Sequence, residues 1–599
     1  MPRWLAQVSP SAPSMLLALL FCAVGKRAKG QDLFIPAPTK LFGSLRLTSR
    51  REVPEKPNIV WFLTDDQDQL LGGSFPPTAP GGATPMPRTK RLMQDEGLHA
   101  TNWYIHTPIC SPSRSELLTG RYFHNIKKVG AHYMHVDYEQ VYNNSFVRVL
   151  QEQGGYTTGL FGKYVNVMPK KPPPGFDAWL ANAGGDYIAP SFQTKNIDGL
   201  PDGQVHLSSD PGNYTTAVVG NASVAWIRKV AKQGKPFMAY IAPKAAHEPF
   251  NPAPWYRDHW DASWPEQAPR TANWNVSAAS RAHHHGNVGT EPLLTPEAAH
   301  VVDGVFKNRW RTLMSVDDVI GEVIAAVEEL GLSDSTYFLY SSDHGFQLGQ
   351  FNIPMDKRHV YEWDTKIHLL ARGPGIAPGT SFAAPGTQVD IAPTLLGLAG
   401  LPKPPSMDGR SIVPFLLSAG GGLQGAGSSG PAAATKQHLV EVLGDMTAED
   451  YAASWRQEVF IEYYFVSPNV KCMTRHPCLG GHYPKSDANC VDLTTNEGCW
   501  CIGIKGMADC YATEDRTNNF IALRRFAPGE NELYAEFEDG NMLYEHVNFK
   551  RVDFVEHYNL SSDPWHMQNL AEDPQRAGHQ AALSARLREW LQCSGDSCF

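Results

Sequence analysis

Long basic runs are missing from this sequence, and so is any surplus of positive charge. A formal net charge of −9 without a Lys/Arg block argues against nucleic acid or an anionic membrane surface as the main partner. It also argues against a processive grip on a long polyanion. After the N-terminal region no run of about 20 apolar residues follows, so the mature chain carries no membrane span. There are no internal repeats. Cysteine is nearly absent before residue 472, where only Cys22, in an apolar leader, and Cys110 occur. No C-x-x-C pair exists, which weighs against a zinc cluster.

What is present is an ordinary globular composition. The chain has 599 residues, 42% of them hydrophobic and 19% charged, enough for two or more domains with large cores. Arg3 and the apolar run Met15 to Val24 read as a signal peptide over residues 1–30, cut between Ala23 and Gln31. Sequons at Asn143, Asn213, Asn221, Asn275 and Asn559 are candidate N-glycosylation sites. Cys472, Cys478, Cys490, Cys499, Cys501, Cys510, Cys593 and Cys598 form an even set of eight, which suits disulfides in a secreted protein. Cys593 and Cys598 are near enough in sequence to close a local loop. These features point to the secretory pathway, with an extracellular, periplasmic or lysosomal destination.

Three short apolar runs read as strands buried on both faces. They are Asn58 to Leu63, Pro236 to Ala242 and Thr336 to Tyr340. Each ends in chemically capable residues: Asp65 and Asp66 after the first, His247 after the second, Asp343 and His344 after the third. Phe306, Trp310, Leu313, Val316, Ile320, Val323 and Val327 recur at helical spacing between the last two. The pattern predicts an α/β sheet with parallel strands, whose ligands gather beyond the carboxyl ends. Residues 250–300 read as a long loop, with His283, His284 and His285 as an exposed polar stretch rather than a metal site. Residues 418–435 are rich in Gly, Ala and Ser and read as a flexible linker. The expected division is a catalytic domain over 57–417 and a smaller, disulfide-rich α+β domain over 436–599.

Asp65, Asp66 and Asp343 would repel one another if clustered, unless a cation sat among them. Their hard oxygens suit Ca²⁺ or Mg²⁺, and the His344 nitrogen adds Mn²⁺ as an option. Arg114 follows Cys110 by four residues, where a helix should begin, and a helix start beside a guanidinium suits an anion. Lys163 and Lys357 could add positive charge. A metal, an anion cradle and a nucleophile-like residue together describe phosphoryl or sulfuryl transfer.

The run Cys110-Ser111-Pro112-Ser113-Arg114, continued by Leu117, Thr119 and Gly120, resembles the motif of type I sulfatases of the alkaline-phosphatase superfamily. Phe62 to Asp68, Asn308-Arg309-Trp310, Asp356-Lys357-Arg358, Arg372 to Ile376 and the closing Cys593 to Cys598 are similar to the N-acetylglucosamine-6-sulfatase and arylsulfatase branch. The resemblance implies an alkaline-phosphatase-like mixed central sheet flanked by helices. It implies that a formylglycine-generating enzyme, reading Cys-x-Pro-x-Arg, oxidises Cys110 to Cα-formylglycine (3-oxoalanine). One hydroxyl of the hydrated aldehyde would attack sulfur and displace the alcohol. The second would then lose its proton and expel sulfate as the aldehyde returns.

The resemblance further implies that Asp65, Asp66, Cys110, Asp343 and His344 hold one Ca²⁺, with Mg²⁺ or Mn²⁺ as alternatives. Arg114 would orient the formylglycine, Lys163 and Lys357 would hold sulfate oxygens, and His247 would protonate the leaving alcohol. Where many relatives carry a histidine just after the lysine matching Lys163, this chain has Val165 and Asn166. Asn166 could orient the diol but is a poor base. The implied substrate is a sulfated sugar or an aryl sulfate. The alternatives are a phosphodiester or phosphonate monoester hydrolase of the same superfamily, and an inactive sulfatase-like binding protein.

Overall fold

The computed structural model describes residues 56–70, 82–128, 132–169, 171–418, 431–465, 493–496, 499–504, 507–514, 517–540 and 547–598. The signal segment and Cys472, Cys478 and Cys490 lie outside the described residues.

All seven residues of the strand Asn58–Thr64 are buried, because alternate side chains enter cores on opposite faces of the sheet. Ile59, Trp61 and Leu63 join one core with Leu117, Leu118 and Leu395. Val60 and Phe62 join the other with Val219, Leu313 and Ile320. Fully burying such a side chain stabilises the fold by roughly 1.5–3 kcal/mol. Two cores on one strand explain why its sequence is continuously apolar rather than alternating.

Ten described strands make one mixed sheet. At its centre Thr336–Ser342, Asn58–Thr64, Phe237–Ala242, Thr157–Lys163 and Ala178–Asn182 lie side by side, each parallel to the next. Their carboxyl ends therefore open on one edge. Antiparallel neighbours flank this block: Leu369–Arg372 on one side, Ser191–Lys195 and Gly203–His206 on the other. Gly162 lies where the Thr157 strand meets the carbonyl of Ala242. Its φ is 113° and a Cβ there would collide with that carbonyl, so only glycine lets Lys163 follow in this position.

The helix read from Phe306 to Val327 spans Pro296–Glu329. Thr295 caps it through Ala298 N, and a proline sits in its first turn. The loop read over 250–300 ends where the long helix begins at Pro296, and before that it carries the short helices Ala278–Arg281 and Gly286–Thr290. The expectation of exposed histidines there is overturned for His284 and His285, which are buried. His284 Nε2 lies 2.8 Å from His566 O, and His285 Nδ1 lies 2.9 Å from Glu556 Oε1. The loop tucks under the C-terminal part of the chain, where the Glu556 carboxylate of the sheet and the His566 carbonyl beyond it each engage one ring nitrogen.

That sheet is antiparallel, in the order Glu458–Tyr463, Phe520–Arg525, Glu532–Phe537 and Phe554–Asn559. The helix Ala577–Gln592 packs Leu583, Leu587 and Trp590 against Phe460, Leu523 and Tyr534. Cys593 and Cys598 form the expected local disulfide. A helix begins at Pro431, inside the stretch read as linker. Among the described residues no helix is long and apolar enough to cross a membrane.

Candidate active site

Four parallel strands deliver their last residues to one place. Asp65 and Asp66 follow the Asn58 strand, Asp343 and His344 follow the Thr336 strand, Lys244 and His247 follow the Phe237 strand, and Lys163 ends the Thr157 strand. Backbone bonds lock the strand ends together: Asp65 N donates to Ala245 O at 3.0 Å and Ala246 N to Asp65 O at 2.7 Å. Asp343 N donates to Thr64 O at 3.1 Å. The helix Cys110–Thr119 begins over this edge with Cys110 as its first residue.

Cys110 is buried and is a free thiol. Its Sγ lies 3.2 Å from His344 Nε2 and 3.7 Å from Asp65 Oδ1. One turn on, Arg114 sits under the site. Its Nε donates to Asp343 Oδ2 at 2.8 Å and its Nη1 to Lys163 O at 2.8 Å, while Nη2 stands 3.4 Å from Asp65 Oδ2. Each carboxylate has its own cation. Arg114 holds Asp343, Lys163 pairs with Asp65, and Lys357 Nζ lies 2.9 Å from Asp66 Oδ1.

Ligand atoms of Asp65, Asp66, Cys110 and His344 lie within 4.8 Å of one another, all from buried residues. Asp343 adds Oδ1, 3.5 Å from His344 Nε2. His344 Nδ1 faces the carbonyl of Gly345 at 2.9 Å, so Nδ1 carries a proton and Nε2 is the nitrogen turned to the cluster. A backbone acceptor behind the ring is the usual support of a metal-ligating histidine. Three carboxylates and one nitrogen fit a hard divalent cation.

The electrostatics follow from this crowding. Burial would raise the Asp65 pKa, but Lys163, His247 and Arg114 outweigh it and hold the carboxyl well below its ordinary range. Burial prevails at Asp66 and raises it despite Lys357. Burial disfavours a charged His344, yet Asp343, Cys110 and Asp66 push it up to about 10. A proton on this ring and a cation in the cluster therefore compete for the same carboxylates. His247 behaves oppositely: burial, then Lys357 and Lys163, drive it well below its ordinary value. Burial and Lys163 bring Lys244 down to about 8.

The model of the family described as Sulfatase matches residues 57–401. The chain belongs to the sulfatase family. Across 97% of its length this sulfatase is 28% identical to the human (Homo sapiens) N-acetylglucosamine-6-sulfatase, covering 94% of that protein. It is 33% identical to a putative extracellular sulfatase Sulf-1 homolog of Caenorhabditis elegans, over 62% of this chain and 50% of that one. A solved structure described as a complex with its substrate D-glucosamine-2-N,6-O-disulfate superposes with a TM-score of 0.58 at 20% identity, covering 89% of this chain and 97% of that one. The phosphonate monoester hydrolase of Silicibacter pomeroyi shares the fold with the same TM-score at 20% identity, over 90% and 96% of the two chains. The sulfatase is thus an enzyme of sulfate ester hydrolysis on a mixed α/β sheet.

Every residue singled out from the sequence for metal or substrate chemistry lies at or beside this strand edge. Asn166 is at its rim, where its Oδ1 accepts from Ser111 Oγ at 3.0 Å and its backbone N donates to the same hydroxyl at 3.0 Å. Its amide thus braces the start of the Cys110 helix. Of the sequon residues, Asn143 and Asn221 are exposed, while Asn213, Asn275 and Asn559 are half-buried. The Asn275 side chain is bonded both ways to Leu294, donating to its carbonyl and accepting from its amide.

Sequence reasoning gave no role to Arg309 and Lys244. Arg309 donates to Asp66 O and, at 3.2 Å, to Asp68 Oδ1. Its signal was a charged residue on the apolar face of the long helix. Lys244 donates to Gly185 O and lies over the Tyr187 ring. Its signal was a lysine two residues beyond a buried strand.

Proposed function

We propose that this sulfatase hydrolyses sulfate monoesters of a sugar, using a formylglycine made from Cys110 and one bound Ca²⁺. The observation that carries the reading is the convergence on Cys110 of three carboxylates, two lysines and two histidines from separate strand ends and loops. The 28% identity to an N-acetylglucosamine-6-sulfatase along nearly the whole chain supports an amino-sugar sulfate in particular.

The cation, held by Asp65, Asp66, Cys110, Asp343 and His344, would supply charge neutralisation, and the hydrated aldehyde would supply the nucleophilic oxygen. The chain does the rest. Arg114 fixes the start of the helix and the Asp343 carboxylate. Lys163 and Lys357 hold the sulfate oxygens and balance charge as it builds toward the leaving oxygen. His247 donates Nδ1–H to Glu248 O at 2.9 Å, which leaves Nε2 to exchange protons with substrate. Without substrate, burial and then the two lysines keep that ring neutral. Sulfate oxygens between the lysines offset their field. The ring then takes up a proton and hands it to the departing alcohol. Asn166 steadies Ser111 and the residue before it.

The leader, the sequons and the disulfide set support maturation in the secretory pathway, where the formylglycine-generating enzyme would act. The test is a substrate panel of glucosamine 6-sulfate and related sugar sulfates, p-nitrophenyl sulfate, and a phosphate diester and a phosphonate monoester. Preference for a sugar sulfate is the expected result. A strong preference for the diester or phosphonate would overturn it.

A further inference from the structure

A second histidine–carboxylate cluster lies far from Cys110 in sequence, on the C-terminal sheet. Glu532 opens one strand, His557 sits in the next, and His579 comes from the first turn of the helix Ala577–Gln592. His557 Nε2 lies 2.9 Å from Glu532 Oε2, and His579 Nε2 lies 2.7 Å from Glu532 Oε1. Each carboxylate oxygen thus faces one imidazole nitrogen, and all three ligand atoms lie within 4.8 Å of one another.

We propose that Glu532, His557 and His579 form a binding site for a zinc-like divalent transition-metal ion that ties the C-terminal helix to its sheet. Zinc takes His nitrogens at about 2.0–2.1 Å and carboxylate oxygens at about 2.0–2.2 Å in tetrahedral geometry. Neighbouring ligand atoms around such an ion stand about 3.3 Å apart. The two N···O separations need only open by about half an ångström. Two imidazoles and one carboxylate suit zinc better than calcium.

The site has both depth and a mouth. His557 is buried and Glu532 nearly so, while 35% of the His579 side chain is exposed. The open side provides an entry path and room for water as a fourth ligand. Behind His557, the Gln580 amide nitrogen stands 3.4 Å from Nδ1 and donates to Leu570 O at 3.0 Å; holding the ion through Nε2 puts a proton on Nδ1, so the Gln580 amide must turn its oxygen toward that N–H. A cation that would oppose the ion, Arg525, lies 3.9 Å from Glu532 Oε1, but its guanidinium is engaged by Glu530 and, at 2.6 Å, by Glu458. The similar cluster of His106, His124 and Glu462 lacks these properties. There Glu462 Oε1 already accepts the His124 backbone N–H at 2.7 Å as well as both rings, and Tyr464 occupies Oε2.

The test uses the full chain saturated with Ca²⁺ and titrated with ZnCl₂ by calorimetry near pH 7. One Zn²⁺ should bind in the micromolar range or tighter, and affinity should fall at pH 5 as protons compete for the rings. His579→Ala should weaken it about tenfold or more, with hydrolysis of p-nitrophenyl sulfate unchanged. Because His579 is partly exposed, this variant should fold; Glu532→Gln, checked by circular dichroism, is the second variant. The absence of saturable Zn²⁺ uptake, or uptake unaltered by His579→Ala, would overturn the proposal.

Discussion

Lys357 sets its ammonium 2.9 Å from Oδ1 and 3.1 Å from Oδ2 of Asp66, a bidentate grip on a buried carboxylate. Lys163 pairs with Asp65 through Oδ2 alone. Both carboxylates face the position of Cys110, so each lysine neutralises a cation ligand and also borders the place where an oxyanion must sit. Lys357→Ala should lower kcat/KM by about 10²–10³, the range for losing one preorganised charge partner. Lys357→Arg should not restore it, since a planar guanidinium cannot occupy the place of a compact ammonium. Lys357→Ala also leaves the buried Asp66 carboxylate without its lysine partner. Its melting temperature should drop in chelator and recover with Ca²⁺. Equal loss with and without Ca²⁺ would show that Asp66 is no cation ligand.

Cys110→Ala should abolish turnover and spare the fold. Among the described residues the polar contacts of the thiol are to His344 and Asp65, and Ile109, which precedes it, contributes no side-chain cap to the helix. The deleted sulfur thus removes no helix-capping bond and little packing. Circular dichroism and melting should match the parent. Mass spectrometry of the peptide carrying residue 110 gives the independent check: protein from a competent secretory host should carry the aldehyde there, and unmodified cysteine would count against the mechanism.

The central strands were legible because burial on two faces writes itself as a continuous apolar run. Their polar ends were legible because aspartates and histidines directly beyond such runs have few structural reasons to be there. The antiparallel flanks were not. Leu98–Ala100 and Leu369–Arg372 are too short to show a period and pair across more than 270 residues. Burial of His284 and His285 was equally hidden, since it depends on Glu556 and the carbonyl of His566, far along the chain. Arg309 was masked by the helical period of its apolar neighbours.

His247→Ala should discriminate between substrates rather than reduce all rates alike. An alcohol leaving a sugar needs a proton as the S–O bond breaks, whereas p-nitrophenolate leaves without one. The loss should be about 10²–10⁴-fold in kcat on a sugar sulfate, the usual range for a general acid, and much smaller on p-nitrophenyl sulfate. Equal losses on both would make His247 a sulfate-binding residue only.

The stability of the enzyme should favour mild acid because of a buried latch between the catalytic part and the C-terminal sheet. His124 Nδ1 lies 2.8 Å from Glu462 Oε1 and its Nε2 lies 3.0 Å from Cys593 O. Both partners are acceptors, so only a doubly protonated ring satisfies them. Burial opposes that charge, but Glu462 outweighs it and raises the His124 pKa above its ordinary 6.5. For a raised histidine, the stability is fully present below 6.5 and is lost as pH rises through the higher folded value. Glu462 is the converse. Burial would raise it, yet His124 and His106 hold it well below its ordinary 4.5, so its contribution is present above 4.5 and lost as pH falls through the lower folded value. The two shifts describe one interaction, and together they place its full strength between about pH 4.5 and 6.5. The melting temperature should peak in that window and decline toward pH 8. Glu462→Gln should cost about 3–5 kcal/mol, as expected when one partner of a buried pair is removed, and His124→Gln should flatten the decline above pH 6.5. A His124→Gln profile parallel to that of the parent would remove the latch as its cause.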